Sequence, residues 1–578
     1  MIGRVLRVVL PLVVVLLVGA GVWLAFTGSR AVAAVDDLQQ SVNDVQAALD
    51  DTDLAALRTA AGEAQSAARR ANDAVDGPVW GLVAAIPYLG DTPEVARTTA
   101  SALATAADGV TPLLEVADVL DPASLYSDGR IAVDKLRASA EPLVLAAADL
   151  DSAAAQIATA PVAADGAWVP ATLDDQRAEA AAQLTEAAAA LDTAAAAADV
   201  VPALLGADGP RTWFIGLQTP AEARGTGGLV GNIVTIRADD GRLTLGRTGS
   251  NTDFRTLGAL PDLGDDFVAR YGQNPRRFTN SNLSPDFPSA ALLWQRFYAD
   301  TFDREADVVA GLDVAALGAL ARASGPITLL DSTVLQPDEV VPFFLSEVYE
   351  AYPNREERKR VQEAVAESVF DALTSGDFEP AALVREFAAL ADEGRLLLWS
   401  PDAAEQGALD ALHLTGALAS QAPREVYPVV INASGTKLDT YLDRDIVYTV
   451  GRCTVEGRVA SEVQLTLTAD LPDPLVVDPF VLGLSTGRPN APVQATQVQL
   501  HAAAGATVAQ VNVDGRPVSS FVFTEQGRGS AVVEIDLPAR EPVTLTFILD
   551  EPADDAPGQV QLQPLAREAA VTIRDETC

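Results

Sequence analysis

The chain is poor in cysteine, histidine, lysine and positive charge, and each shortage excludes something. Only two cysteines occur in 578 residues, Cys453 and Cys578, so neither a disulfide-stapled scaffold nor a cysteine-rich zinc site is available. With two histidines, His413 and His501, a Ser-His-Asp hydrolase has few places for its base. His501 falls in a strand-like alternation, and His413 reads as a core or cap residue on an apolar helix. The GLSTG run at 483–487 has nucleophile-elbow spacing. It lies among β signals and is followed by Arg488-Pro489, where that motif needs a strand-to-helix turn. No P-loop is present. Eighty acidic residues against 40 basic ones give a net charge of -40, which removes the basic surface a nucleic-acid binder needs. Lys135, Lys359 and Lys437 are the only lysines. The arginine and alanine bias reads as the mark of a GC-rich genome, with a halophile-like surface as the alternative.

Bilayer-length apolar runs are equally scarce. One occurs, Val8 to Phe26, close to the ~20 residues that span a membrane. Arg4 and Arg7 precede it, so the positive-inside rule places the N-terminus in the cytoplasm and the rest outside. A cleaved signal peptide is the competitor, with Ala31-Val32-Ala33 as a peptidase site. The run is longer than the usual apolar region of ~7–15 residues, which favours a retained single-pass anchor at the plasma membrane. In that compartment Cys453 and Cys578 are expected to pair and tie down the end of the chain; two unpaired thiols are the alternative.

Apolar residues make up 49% of the chain and charged residues 21%, so large buried cores are expected and wholesale disorder is not. Length suggests roughly three to four domains. The spacing predicts a multidomain chain: residues 1–29 as cytoplasmic tip and transmembrane helix, 30–205 as an alanine-rich α-helical bundle stalk, 206–430 as an α/β head, and 431–578 as an antiparallel β-sandwich of immunoglobulin-like type. In the stalk, Val35, Leu38, Val42, Val45 and Leu49 form one three-four seam. Leu54, Leu57, Ala61, Ala64, Ala68, Ala71 and Val75 form another. Further helices are predicted over 93–120, 130–160 and 173–200. If the chain turns at Asp50–Asp53, the loop GPVWGLVAAIPYLG (77–90) returns to the bilayer. Trp80 and Tyr88 are then membrane-contact candidates, with a buried inter-helix connection as the alternative.

The head alternates strands (212–217, 229–237, 242–246, 307–312, 326–330, 395–399) with helices (288–300, 314–323, 337–350, 355–375, 379–392, 403–416). Asp239-Asp240-Gly241 signals a hairpin. The stretch WFIGLQTPAEARGTGGLVGNIVTI, Trp213 to Ile236, reads as strand, anion-friendly loop, strand, and carries the densest site chemistry. Beyond it, alternation of period two in VYTVGR, SEVQLTLTADL, TQVQLHAA, SAVVEIDL and VTLTFIL reads as β-structure.

Two resemblances follow from these residues. RTWFIGLQTPAEARGTGGLVGNIVTIRADDGRLTL, with FTNSNLSPDFPSAALL, ADVVAGLDVAALGALARASGPITL, EGRLLLWSPDAAEQGAL and GTKLDTYLDRDIVYTV in order, resembles an uncharacterised family of membrane-anchored proteins. These come from actinobacteria and related Gram-positive bacteria, and share a domain of unknown function (number four thousand and twelve). The resemblance spans nearly all of the chain and implies no activity. The head is more distantly similar to the LytR-CpsA-Psr glycopolymer transferases. Those enzymes move a glycan from a polyprenyl-pyrophosphate lipid onto peptidoglycan, with arginines on the pyrophosphate and an aspartate on Mg²⁺. This similarity rests on Arg224 before an apolar strand, Asp253 and Arg255 after the next, the Asn280–Asp286 loop, and the helix NREERKRVQEAV with Arg358 and Gln362 one turn apart. The chain departs from that pattern where Gly225-Thr226-Gly227-Gly228 replaces an acidic residue, and where the Arg-Asp pair is loosened to Asn251-Thr252-Asp253-Phe254-Arg255.

Pyrophosphate recognition calls for fork-shaped donors and accessible backbone N–H groups. Arg224, Gly225, Gly227 and Gly228 supply both types, with Asn280, Asn282, Arg355, Arg358 and Gln362 as further ligand-binding candidates. Asp253 and Arg255 are the catalytic candidates. Asp253 and Asp286 are the metal candidates, Mg²⁺ being the cofactor the resemblance implies. The plainer alternative is a tight glycine turn, with arginines paired to carboxylates such as Glu356 and Glu357 and aspartates serving as caps. Two functions stay open. One is an extracytoplasmic cell-envelope protein that handles polyprenyl-pyrophosphate-linked glycan, as a phosphotransferase-type glycopolymer transferase if it is an enzyme. The other is a non-catalytic envelope scaffold or glycan-binding protein on a degenerate transferase-like fold. The partners expected are membrane lipid and polyprenyl-linked glycan or peptidoglycan, without nucleic acid.

Overall fold

A computed structural model describes residues 40, 44, 54–76, 84, 90–109, 111–113, 116, 122–127, 129–162, 169–376, 378–418, 423–452, 456–472, 481–482 and 493–575. The expected anchor at Val8–Phe26, the membrane-contact candidates Trp80 and Tyr88, the cysteines Cys453 and Cys578, and the GLSTG run lie outside them. The chain is a multidomain α/β protein that divides into two compact units, residues 1–209 and 210–578.

The first unit is built on alanine-lined helices: α1 (Leu54–Val75), α2 (Asp91–Asp108), α3 (Val133–Ala138), α4 (Ala140–Ala158) and α5 (Ala171–Leu204). The small side chains let helices approach closely, and α1 packs on α2, α2 on α4 and α4 on α5. The predicted seam is buried at Ala61, Ala64, Ala68, Ala71 and Val75. Opposite it, Leu143, Leu150, Ile157, Leu184 and Leu191 fill the same core. The stretch Arg177–Leu204 is long and apolar enough to cross a membrane by length and composition, and half of it is buried within this bundle.

The second unit opens on a hairpin of unequal period-two strands, β1 (Arg211–Arg224) and β2 (Gly227–Asp239), followed by β3 (Arg242–Ser250). Asp240 and Gly241 take positive φ in the predicted Asp-Gly turn between β2 and β3. After α6 (Gly264–Tyr271) and α7 (Phe287–Phe302) comes β4 (Val308–Asp313), which leads directly into α8 (Val314–Ser324). A helical segment from Val340 to Ala351 contains a π-helical turn at Phe343–Glu347. Then follow α9 (Arg355–Ser375), α10 (Pro380–Asp392), β5 (Leu396–Trp399) and α11 (Ala403–Ala411). Within this unit the first sheet runs β3-β2-β1-β4-β5, with β1 parallel to β4 and its other neighbours antiparallel. Trp294, Phe297 and Phe287 of α7 pack beneath it against Phe214.

The remaining strands are β6 (Glu425–Asn432), β7 (Leu442–Val450), β8 (Arg458–Ala469), β9 (Gln494–His501), β10 (Thr507–Val513), β11 (Arg516–Val518), β12 (Phe521–Glu525), β13 (Arg528–Leu537), β14 (Val543–Pro552), β15 (Gln559–Val560) and β16 (Ala569–Asp575). They form two further sheets, β12-β13-β9-β6-β15 and β11-β10-β14-β8-β7-β16. The sequence predicts antiparallel pairing throughout, but β6–β15 and β7–β16 are parallel. Both parallel strands come from the last stretch of chain, which returns along the sheet edges. Val498 and Leu500 of one sheet and Val463, Leu465 and Phe547 of the other share one core with Leu320, Phe344 and Val361 from the helices. The boundary expected at residue 430 therefore falls inside a single compact unit.

Candidate functional site

The expected loop at 218–228 is mostly strand. β1 continues to Arg224 by accommodating Pro220 in a bulge between Thr219 and Ala223, and the turn shrinks to Gly225-Thr226. Alternation along a strand then puts Glu222 and Arg224 on one face. Arg224 Nη2 donates to Glu222 Oε1 at 2.8 Å, and Nη1 donates to the carbonyls of Ala223 and Asn432 at 2.9 and 3.0 Å. Lys437 Nζ donates to Glu222 Oε2 at 2.5 Å, and all three side chains are buried. Burial opposes the charge on Glu222, but Lys437 and Arg224 more than reverse this and leave its pKa lowered. Burial likewise opposes the charge on Lys437, and Glu222 holds its pKa above the ordinary value.

The turn glycines are required by backbone contact. A Cβ on Gly225 would stand 2.3 Å from the Ser284 carbonyl oxygen, and one on Gly228 2.2 Å from Thr219 backbone. Gly227 opens β2 at φ 123°. Asn282 is fully buried and donates to the Gly228 carbonyl at 2.8 Å and Thr226 Oγ1 at 2.9 Å. Asn280 closes a short 3-10 turn (Phe278–Asn280) that leads into this loop. The cluster read as an anion cradle is thus a backbone crossing held by buried amides.

An open cleft of about 550 Å³ lies beside it. It sits where the β1–β4 parallel pairing ends and α8 begins, the carboxyl-end position at which α/β sheets commonly bind ligands. Leu217, Leu229, Val314, Leu317, Phe344 and Ala366 give it an apolar lining. Arg355, Arg358, Lys359 and Gln362 bring one side of α9 to it. Asn354 caps that helix by accepting from the N–H groups of Glu356 and Glu357. Arg358 is buried, donates to the Tyr352 carbonyl at 2.8 Å and lies over the Tyr349 ring at 5.0 Å. Lys359 stands 3.8 Å from Glu363, and Gln362 accepts from Asn232 on β2 at 3.3 Å. Asp313 reaches the cleft edge but is bound to Arg395 and caps α8 through the Ala315 N–H. Burial raises its pKa despite that pairing.

The expected site is therefore split. Arg355, Arg358 and Gln362 line the cleft; Arg224, Asp253, Arg255, Asp286, Asn280 and Asn282 do not. Asp253 closes a capping box, its Oδ2 accepting from the Ser250 N–H at 2.8 Å, and Arg255 is exposed on the segment that follows. Asp286 is the buried N-cap of α7. It accepts from Ser289, Leu418 and Gln526, and burial raises its pKa. Asp286 serves as the buried cap of α7, and Asp253 as a capping-box acceptor for Ser250, itself a cleft-lining residue; the two carboxylates do not meet, and the residues present do not fit Mg²⁺. Among the described residues, no cluster of three metal-ligating side chains occurs. Of Arg224, Arg255, Arg358 and Asp253, only Arg358 lines the cleft.

Residues 208–349 match the family described as "Protein of unknown function (DUF4012)". That span carries β1, β2, β4 and the π-helical turn, hence the apolar side of the cleft; α9 with its cations lies beyond it. No curated protein and no solved structure matches the chain.

Sequence reasoning missed Lys359, Lys437, Glu222 and Asn232. Lys359 carried a usable signal, since it lies between Arg355 and Gln362 on the same helix. Lys437 and Asn232 meet the site only through the tertiary fold. His501 Nδ1 faces Ser530 Oγ at 2.8 Å, and both residues are fully buried. His413, expected as a core or cap residue on an apolar helix, is instead an exposed turn residue at φ 56°, past the end of α11.

Proposed function

We propose that residues 210–578 bind an anionic amphiphile, a polyprenyl-phosphate- or pyrophosphate-linked glycan, in the α9 cleft without transferring it. In this reading the chain is a single-pass, extracytoplasmic envelope protein whose head is a degenerate relative of the LytR-CpsA-Psr fold. The two later sheets are read as a β-sandwich that braces it. One observation carries the reading: Arg355, Arg358 and Lys359 face an apolar trough formed by Leu217, Leu229, Leu317 and Phe344. Arginine forks suit phosphate oxygens, and an apolar trough suits an isoprenoid rather than a free sugar phosphate. Of the charged residues lining the cleft, Arg355, Arg358, Lys359 and Lys437 stand against Glu222, Asp313 and Glu356, so on a chain of net charge -40 the local balance is slightly positive.

Farnesyl pyrophosphate serves as a soluble probe. Titration calorimetry on the purified protein should show it binding, with farnesol and inorganic pyrophosphate each weaker by about tenfold or more, since each keeps only half of the contacts. Magnesium should leave the affinity unchanged. The Arg355→Ala/Lys359→Ala double variant changes one exposed and one half-buried position outside the core and should lose about tenfold or more in affinity, at a nearly unchanged melting temperature. Equal affinity for the double variant and the wild type would sink the proposal. Affinity that depends on Mg²⁺ would revive the transferase reading over the binding one.

A further inference from the structure

A second group of titratable side chains lies away from the cleft, where α6 packs on β12, the edge strand of the second sheet. Glu525, the last residue of β12, is 3% exposed. Its Oε1 accepts from Ser284 Oγ at 2.6 Å and its Oε2 from the Tyr271 hydroxyl at 3.0 Å, joining β12 to α6 and to the loop before α7.

Among the described residues, no cation in contact balances this carboxyl. From β9, His501 Nδ1 stands 3.9 Å away but bonds Ser530, and burial, with Arg528 and Arg270 nearby, lowers its pKa to about 3, so the ring is neutral. From α6, the Arg270 guanidinium lies over the Tyr271 and Phe523 rings at 4.8 and 5.2 Å and donates to Gln497. From β13, Arg528 is turned to the Ala502 carbonyl and to Glu425. From the cap of α7, Asp286 adds a second buried carboxylate, held by Gln526 beside Glu525. An ionised Glu525 would thus be a dry negative charge next to another carboxyl. A protonated one can donate through one oxygen and accept through the other.

We propose that the α6–β12 contact is a pH-controlled latch, closed while Glu525 is protonated and released when that proton is lost to water. Burial outweighs the Ser284 and Tyr271 hydroxyls, which favour the carboxylate, and with a smaller push from Asp286 it raises the Glu525 carboxyl to about 7, inside the range an envelope protein meets. Release exposes the carboxylate to solvent by parting the edge strand β12 from α6, whose Phe267 and Tyr271 stay anchored in the core with Phe214 and Trp294, so the opening is confined to the β12 side.

The test is hydrogen exchange on the full chain from pH 5.5 to 8.5, corrected for intrinsic rates. Protection in 521–525 should fall by about tenfold or more between pH 6 and 8.5, while β8 stays constant. Glu525→Gln keeps the size and hydrogen-bonding capacity of the protonated form, and its protection should be flat. Wild-type protection that does not change with pH overturns the latch, as does an equal fall in Glu525→Gln. If Glu525→Gln does not fold, Ser284→Ala is the second variant. It removes a donor that favours the carboxylate, so its midpoint should move to higher pH, and an unmoved midpoint overturns the assignment of Glu525.

Discussion

Arg224 is fastened by Glu222 because the strand does not stop where Pro220 suggests. Proline within an apolar run ordinarily demotes it to a loop, and only the bulge between Thr219 and Ala223 lets β1 continue. Once it continues, the acidic partner two residues back lies on the same face, and the third member, Lys437, arrives from 215 residues away from Glu222. The special character of Arg224 was legible in the sequence; its direction was not, because direction depended on a bulge and a distant lysine. Removing one member of a buried charged cluster is costly even where the cluster adds little net stability. Glu222→Gln should therefore lose about 3 kcal/mol in urea unfolding at pH 7. The sign with pH is fixed. The folded-state pKa of Glu222 is lowered, so its contribution is complete above the ordinary carboxyl value and is lost as pH falls through the lower folded value. The gap between wild type and Glu222→Gln should narrow on acidification, and a gap that widens would refute the triad. Gly225→Ala tests the backbone crossing: its Cβ would meet the Ser284 carbonyl oxygen at 2.3 Å, and forcing the two apart should cost about 1–3 kcal/mol.

Elements were the most legible level. The three-four spacing in α1 and the alternation in β8 are local properties, and α1, α7, α8, α9 and α10 form close to the predicted limits; the helix expected over 403–416 ends at Ala411, and α6 was not expected. Another departure is instructive. The helix expected over 337–350 contains a π-helical turn at Phe343–Glu347, which brings Phe344 to the cleft. Such turns answer to tertiary contacts, here the Thr440 hydroxyl reaching the Leu345 carbonyl at 3.4 Å, and no local pattern announces them. The start of α9 is a separate case, since its cap is written in the sequence at Asn354. Asn354→Ala should cost about 1 kcal/mol and fray the turn that carries Arg355 and Arg358. Farnesyl pyrophosphate affinity should fall with it, whereas an unchanged affinity would mean that this turn does not position the cations.

At the scale of the molecule, the change of period near residue 430 was legible, but the single core beneath it was not. Leu320, Phe344 and Val361 pack in the same cluster as Val463, Leu500 and Phe547, contacts between segments that no local pattern links. A fragment ending at residue 430 should therefore fail to melt cooperatively by circular dichroism, while residues 210–578 should show one transition; a cooperative melt of the shorter fragment would restore the boundary. The last stretch of chain carries this further. Gln563 Nε2 donates to the Arg224 carbonyl at 2.6 Å, 339 residues back, and to that of Val430, while Arg395 donates to the Leu565 carbonyl. A ribosome delivers residues in order, so the hairpin made first waits for a stitch made near the end. During synthesis the second unit is a queue of incomplete sheets with open edges, exposed to proteases until that stitch arrives. The helical unit, whose contacts are nearer in sequence, has no such wait.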